Sequence, residues 1–108
     1  MAVFGCGVSG VLSAKYSLEN GYNVVIFEKN SSVGGIWSES GYAWPNMFAN
    51  ISKNTLNFTN FRWRDVDPLF PKKERVSEFL KEYCETFNLT PLIRFNSLIT
   101  YVRFHGSL

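Results

Sequence analysis

Apolar and polar positions along the chain fall into runs of different period. Ala2, Val3 and Phe4 are continuously apolar and stop at Gly5, which predicts a short buried strand. Val8, Val11, Leu12 and Leu18 follow at helical spacing through Asn20, and Gly21 stands just past the predicted helix end, where glycine is favoured. Val24, Val25, Ile26 and Phe27 make a second apolar run, β-branched and closing at Glu28. Strand, helix and strand within 27 residues is the compact form of a βαβ unit. The lack of polar alternation in both strands predicts a parallel pair buried on both faces.

Residues 29–73 show no clear period and are rich in Gly, Asn, Ser and aromatics. An irregular stretch of that length is either functional or hides elements that the pattern does not reveal. The clearest helix comes next. Val76, Phe79, Leu80, Tyr83 and Phe87 recur at steps of three and four, with Glu78, Lys81, Glu82 and Glu85 between them, and Asn88 is its predicted end. Ile93 to Phe95 reads as a third strand. Leu98 to Phe104 reads as a fourth, with partial alternation at Ile99, Tyr101 and Arg103.

Composition adds limits. The 108 residues suffice for one small domain with one core. A chain 45% hydrophobic and 19% charged is globular, not disordered. No apolar run approaches the roughly 20 residues of a membrane span, and the first apolar run follows no basic stretch, so neither a membrane segment nor a signal peptide is expected. Apart from Lys72 and Lys73, cations are scattered, and the net charge of +2 is too small to suggest nucleic acid. Cys6 and Cys84 form no C-x-x-C and no metal spacing. They read as reduced thiols of a cytoplasmic protein. The sequons at Asn30, Asn50, Asn57 and Asn88 read as chance products of an asparagine-rich chain. His105, the single histidine, lies late in the chain and reads as a surface residue rather than a catalyst.

The chemistry sits in the turn between the first strand and helix. Gly5-Cys6-Gly7-Val8-Ser9-Gly10 fits G-x-G-x-x-G in its confirming context. Gly5 makes the tight turn, Gly7 lets the backbone approach a pyrophosphate, and Gly10 lets the helix pack close to the sheet. The N–H groups at Val8 and Ser9 then open a helix whose positive end favours phosphate. Glu28 lies 18 residues after Gly10, at the end of the second strand. A carboxylate there accepts hydrogen bonds from the ribose 2′-hydroxyl of an adenosine and repels the 2′-phosphate of NADP. Gly34 and Gly35 can turn the backbone close against a ligand or simply form a loop turn. Trp37 suits either a cofactor contact or a core aromatic. No acid–base pair and no nucleophile–histidine arrangement can be built.

With these residues in hand, the chain resembles the flavin-containing monooxygenases over nearly its whole length, from about Ala2 to Phe104. Gly5 to Gly10 is similar to the family's FAD fingerprint, with Cys6 where alanine is usual. Phe27-Glu28-Lys29 followed by Gly34-Gly35-Ile36-Trp37 is the most specific similarity; related amine oxidases place an arginine after the paired glycines. Asn50-Ile51-Ser52-Lys53 resembles the segment that holds an active-site asparagine beside the flavin. Phe58 to Trp63, Pro71, and the helix ending at Phe87-Asn88-Leu89 follow the family order, and plant-type members look similar over Ile93 to Gly106. Asn60 stands where an aspartate is common.

The resemblance implies an α/β, Rossmann-like FAD-binding fold with a parallel sheet, ending after its third parallel strand and the start of a β-meander. Residues 1–108 are then the N-terminal part of an FAD-binding domain. The family's second glycine fingerprint, which holds NADPH, and its F-x-G-x-x-x-H segment do not occur in the chain, so it reads as a piece of a longer enzyme. FAD is expected on Gly5, Gly7, Val8, Ser9, Gly10, Glu28, Lys29, Gly34, Gly35, Trp37 and Asn50, with Asn50 as the catalytic residue. In the intact parent, NADPH reduces FAD, oxygen adds to the flavin, and the hydroperoxide passes one oxygen to a soft nitrogen or sulfur of a small-molecule substrate. Alternatives are a Baeyer–Villiger or N-hydroxylating flavoprotein monooxygenase, or a non-catalytic truncated FAD-binding product. A cytoplasmic location is expected, with ER attachment through a tail outside the chain left open.

Overall fold

A computed structural model of the chain describes residues 1–106. Strands β1 (Ala2–Phe4), β2 (Val25–Phe27) and β3 (Ile93–Arg94) form one sheet. Both pairings are parallel, in the order β1-β2-β3, with Val3 opposite Ile26 and Ile26 opposite Ile93. Helix α1 (Val8–Glu19) crosses from β1 to β2, and helix α2 (Lys73–Thr86) belongs to the longer crossing to β3. This is the predicted βαβ unit with one further parallel strand. Short 3₁₀ turns cover Gly35–Trp37 and Thr90–Leu92.

Both helices end in the same way, and the terminating residues were legible. After α1, Gly21 has φ +83, its N–H reaches the Leu18 carbonyl, and the Tyr22 N–H reaches that of Ser17. After α2, Asn88 has φ 55, its N–H reaches Glu85, and the Leu89 N–H reaches Cys84 at 2.7 Å. These paired bonds satisfy carbonyls that a helix end leaves open. Leu89, fully buried, supplies the apolar contact that accompanies the motif.

The core gathers Val3 and Ile26 of the sheet, Val11 and Ala14 of α1, and Leu80 and Tyr83 of α2 into one cluster. A second cluster joins Trp63, Val76 and Phe79; Trp63 stacks on Phe79 with ring centroids 4.0 Å apart and planes 2° from parallel. The hidden order of the irregular segment is thus aromatic packing and local bonding. Phe58 and Phe61 pair across a tight turn with Asn60 at φ 63. The Lys53 ammonium donates to the carbonyls of Arg64, Asp65 and Asp67.

Two expectations need correction. The strands are not buried on both faces: Val3 is buried, while Ala2 and Phe4 beside it are exposed. Both helices contribute to the cluster on the Val3–Ile26 face, which leaves the Phe4 side uncovered among the described residues. Leu98 to Phe104 is not a strand. No backbone hydrogen bond joins residues 98–106 to another segment among the described residues, and alternation gives a strand only where a neighbour completes the ladder. So the expected start of a meander does not form here.

Candidate functional site

The C-terminal ends of β1 and β2 open onto a groove of about 740 Å³. Its floor is the turn Gly5–Gly7, and Glu28 and Lys29 line one side. Gly5, at φ +94, makes the turn out of β1. A Cβ on Gly10 would stand 1.9 Å from the Gly5 carbonyl oxygen, so only glycine lets α1 start this close to the strand. Gly7 is the residue before the helix and has no side chain to cap it. The first N–H groups of α1, at Val8, Ser9 and Gly10, therefore lack an intrahelical or capping partner. Val8 and Ser9 are exposed, and neither is among the residues that line the groove.

Glu28 is 4% exposed. Its Oε2 accepts the Cys6 N–H at 2.7 Å, and its Oε1 accepts the Asn30 N–H at 2.8 Å. A surface glutamate at a strand end would show neither bond. A carboxylate offers about four acceptor directions, so two backbone donors leave room for ligand hydroxyls. The Cys6 side chain points away from this work. It is fully buried, and burial first, then Cys84 and Glu28, pushes its thiol up to about 12. Cys84 rises to about 12 as well, through burial and then Glu85. Both thiols are free and protonated at neutral pH.

The two glycine motifs meet. The Gly34 N–H donates to the Cys6 carbonyl at 3.1 Å. A Cβ on Gly35, whose φ is +57, would lie 2.8 Å from the Gly7 Cα; one on Gly7 would lie 3.5 Å from the Gly35 Cα. The close contact thus depends on Gly35 having no side chain, while a Cβ on Gly7 would meet Gly35 only at ordinary van der Waals distance. Gly35 and Ile36 line the groove, but Trp37 does not. Trp37 packs against both apolar clusters and joins them. Asn50 lies outside the groove, on an exposed bend beside Ala49, whose N–H bonds the Pro71 carbonyl. The structure therefore brings together the glycine loop, Glu28, Lys29 and Gly35, and keeps Trp37 and Asn50 apart from them. His105 is exposed. Among the described residues no group of three or more His, Cys, Asp or Glu could hold a metal, and no helix is long and apolar enough to cross a membrane.

Several lining residues gave no signal in the sequence. Asn30 lies in the groove because it follows Glu28 and Lys29 directly, whereas Tyr42 and the segment Ser97–Ile99 reach it only through tertiary placement; Asn96 and Ser97 donate backbone N–H groups to the carbonyls of Asn30 and Glu28. Gly41 had a signal that periodicity cannot read. A Cβ there would sit 2.4 Å from the carbonyl oxygens of both Gly35 and Ile36.

Residues 1–107 match the family model described as flavin-binding monooxygenase-like. Flavin-containing monooxygenase 3 of Homo sapiens is 30% identical over 112 residues, covering 97% of this chain and 21% of the human protein. Flavin-containing monooxygenase 5 of Cavia porcellus is 33% identical over 110 residues, covering 95% of this chain and 21% of that protein. The chain thus spans about a fifth of the length of these curated relatives. Among solved structures, a flavin monooxygenase from Stenotrophomonas maltophilia superposes with a TM-score of 0.82 at 24% identity, covering 97% of this chain and 30% of that one. An S-allyl-L-cysteine S-oxygenase from Allium sativum gives 0.78 at 19%, covering 88% and 27%. Both share the Rossmann-like fold, and with the family model matched over nearly every residue, the chain belongs to the flavin-binding monooxygenase-like family.

Proposed function

We propose that this chain is the N-terminal FAD-binding segment of an NADPH- and O2-dependent monooxygenase that oxygenates a soft nitrogen or sulfur atom of a small molecule. The observation that carries the reading is the groove itself. A helix start without a capping side chain, a glycine floor and a buried carboxylate with acceptor capacity to spare stand together at the ends of two parallel strands. That donor set fits an adenosine joined to a diphosphate: the N–H groups of Val8, Ser9 and Gly10 take the phosphates, and Glu28 takes the ribose hydroxyls. The charge of Glu28 favours FAD over NADP in this groove. A structure with FAD and NADP bound, that of OTEMO, shares the fold at a TM-score of 0.82 and 19% identity.

When bound, FAD supplies the redox and oxygen chemistry, and the protein supplies orientation and exclusion of water. The lack of an acid–base pair in the groove agrees with that division. Asn50 remains the candidate for contact with the reactive ring, on the strength of the family resemblance; its exposed bend lies beyond the groove. Family membership and the 30% and 33% identities to flavin-containing monooxygenases favour this reading over a Baeyer–Villiger enzyme.

Equilibrium titration of the purified chain with FAD and with NADP tests the assignment. FAD is expected to bind more tightly, and Gly10→Ala is expected to abolish that binding by forcing the start of α1 away from Gly5. Tighter binding of NADP overturns it.

A further inference from the structure

We propose that the carbonyls of Arg64, Asp65 and Asp67 form a small-cation site whose resident cation is the Lys53 ammonium, and that this site sets the position of the bend carrying Asn50. The placement is independent of the FAD reading; only the use made of Asn50 rests on that reading. The ammonium donates to the Asp67 carbonyl at 2.6 Å, to that of Arg64 at 2.8 Å and to that of Asp65 at 3.0 Å. An ammonium has three N–H donors and no acceptor, so its whole capacity is spent on these carbonyls. Among the described residues Lys53 makes no ion pair, and the Asp65 and Asp67 carbonyls have no other partner. Backbone carbonyls gathered around a point replace the hydration shell of a small cation. Here that cation is a compact point charge on a flexible stem, supplied by the chain itself.

The turn that offers the carbonyls is itself fastened to α2. Arg75 of that helix binds both oxygens of Asp67, and the Arg64 guanidinium binds Glu82 at 2.6 Å. The ammonium therefore ties Lys53 to α2 through this turn. The bend before it is anchored on both sides. The Ala49 N–H bonds the Pro71 carbonyl at 2.8 Å, and the Lys53 N–H bonds that of Leu69 at 2.7 Å. More residues lie between Ala49 and Lys53 than between Leu69 and Pro71, so the bend must bulge. Asn50 and Ile51 are exposed and make no backbone hydrogen bond among the described residues. The direction of the bulge is then set by its anchors alone, and the ammonium fixes the second of them.

The test follows hydrogen exchange by NMR in the full 108-residue chain. Lys53→Ala is expected to speed exchange at the N–H groups of Ala49 and of position 53 by about tenfold, the loss that goes with one hydrogen-bonded charge, while the amides of Val11 and Leu80 in the helices keep their rates. Propylammonium replaces the atoms lost beyond the Cβ and is expected to restore slow exchange. Tetramethylammonium, a cation without N–H donors, is expected not to. In Lys53→Met the remaining stem fills the path, so propylammonium is expected to have no effect. A second measurement needs no variant: the Lys53 ammonium protons are expected to exchange with water about tenfold more slowly than those of the exposed Lys81. Equal rates at the two lysines overturn the site whether or not Lys53→Ala folds. Unchanged exchange at Ala49 in folded Lys53→Ala, or rescue by tetramethylammonium as good as by propylammonium, overturns it too. Titration of the wild-type chain with FAD reports separately: a chain that does not bind FAD sinks the reading of Asn50 and leaves the cation site standing.

Discussion

A carboxylate as buried as Glu28 must find hydrogen bonds within the protein, and it finds them on the glycine loop it faces. One residue thereby ties the end of β2 to the turn after β1 and still has acceptor capacity for a ligand. The thiols and the phenol behind the loop make a different demand. Burial raises Cys6 and Cys84 from 9.0 to about 12 and Tyr83 from 10.0 to about 12, with further contributions at Tyr83 from Tyr16, Glu19 and Cys84. The Tyr83 hydroxyl is buried without a hydrogen-bond partner. In each case the folded state prefers the protonated form. Their contribution to stability is complete below about pH 9 and is lost as the pH climbs toward 12. Urea midpoints are therefore expected to fall between about pH 9 and pH 11, and Cys84→Ala should flatten that fall. A midpoint independent of pH over this range would contradict the buried placement of these groups.

At the scale of elements, α2 links the two apolar clusters. Its Phe79 stacks on Trp63, and Phe58 and Phe61 pack on both Phe79 and Tyr83. Arg75 on the same helix binds both oxygens of Asp67, at 2.6 and 3.1 Å, and lies over the Trp63 ring. Asp67 is held below its usual range, mainly by the Arg75 hydrogen bond. These contacts give the irregular segment between Gly35 and Lys73 its shape. Phe79→Ala is expected to destabilise the fold by about 3–5 kcal/mol, a large part of what a small domain has. A drop in the urea midpoint measures it; a loss under about 1 kcal/mol would mean that the stack contributes little. The heptad-like pattern of α2 and its ending at Asn88 were legible because a helix is a local structure. Leu98 to Phe104 was misread for the opposite reason: a strand depends on a neighbour that local alternation does not supply.

At the scale of the whole molecule, the described residues present one glycine-loop groove and an uncovered sheet face. Phe4, Leu98, Tyr101, Val102 and Phe104 are all more than half exposed, so the isolated chain is expected to associate or to be only marginally stable. Hydride transfer needs two nucleotides held face to face, and the described residues shape a single glycine-loop groove. The purified chain is therefore expected not to consume NADPH above the rate given by free FAD. Turnover above that background, measured by NADPH absorbance, would show that the second nucleotide finds a productive place without a second glycine fingerprint.

The order of elements, both helix ends, the glycine loop and Glu28 followed from the sequence by itself, because each depends on backbone sterics and spacing within one turn or one βαβ unit. Tertiary structure decided what lies far apart in the chain. It set Gly35 against Gly7, which made two motifs into one floor, and it assigned Trp37 to the junction of two apolar clusters. It carried Asn50 outside the groove and brought Tyr42 to Lys29. The physical reason is common to all four. Packing across an irregular segment depends on where its ends are anchored, here by β2, the Lys53 ammonium and α2, and no local period records those anchors.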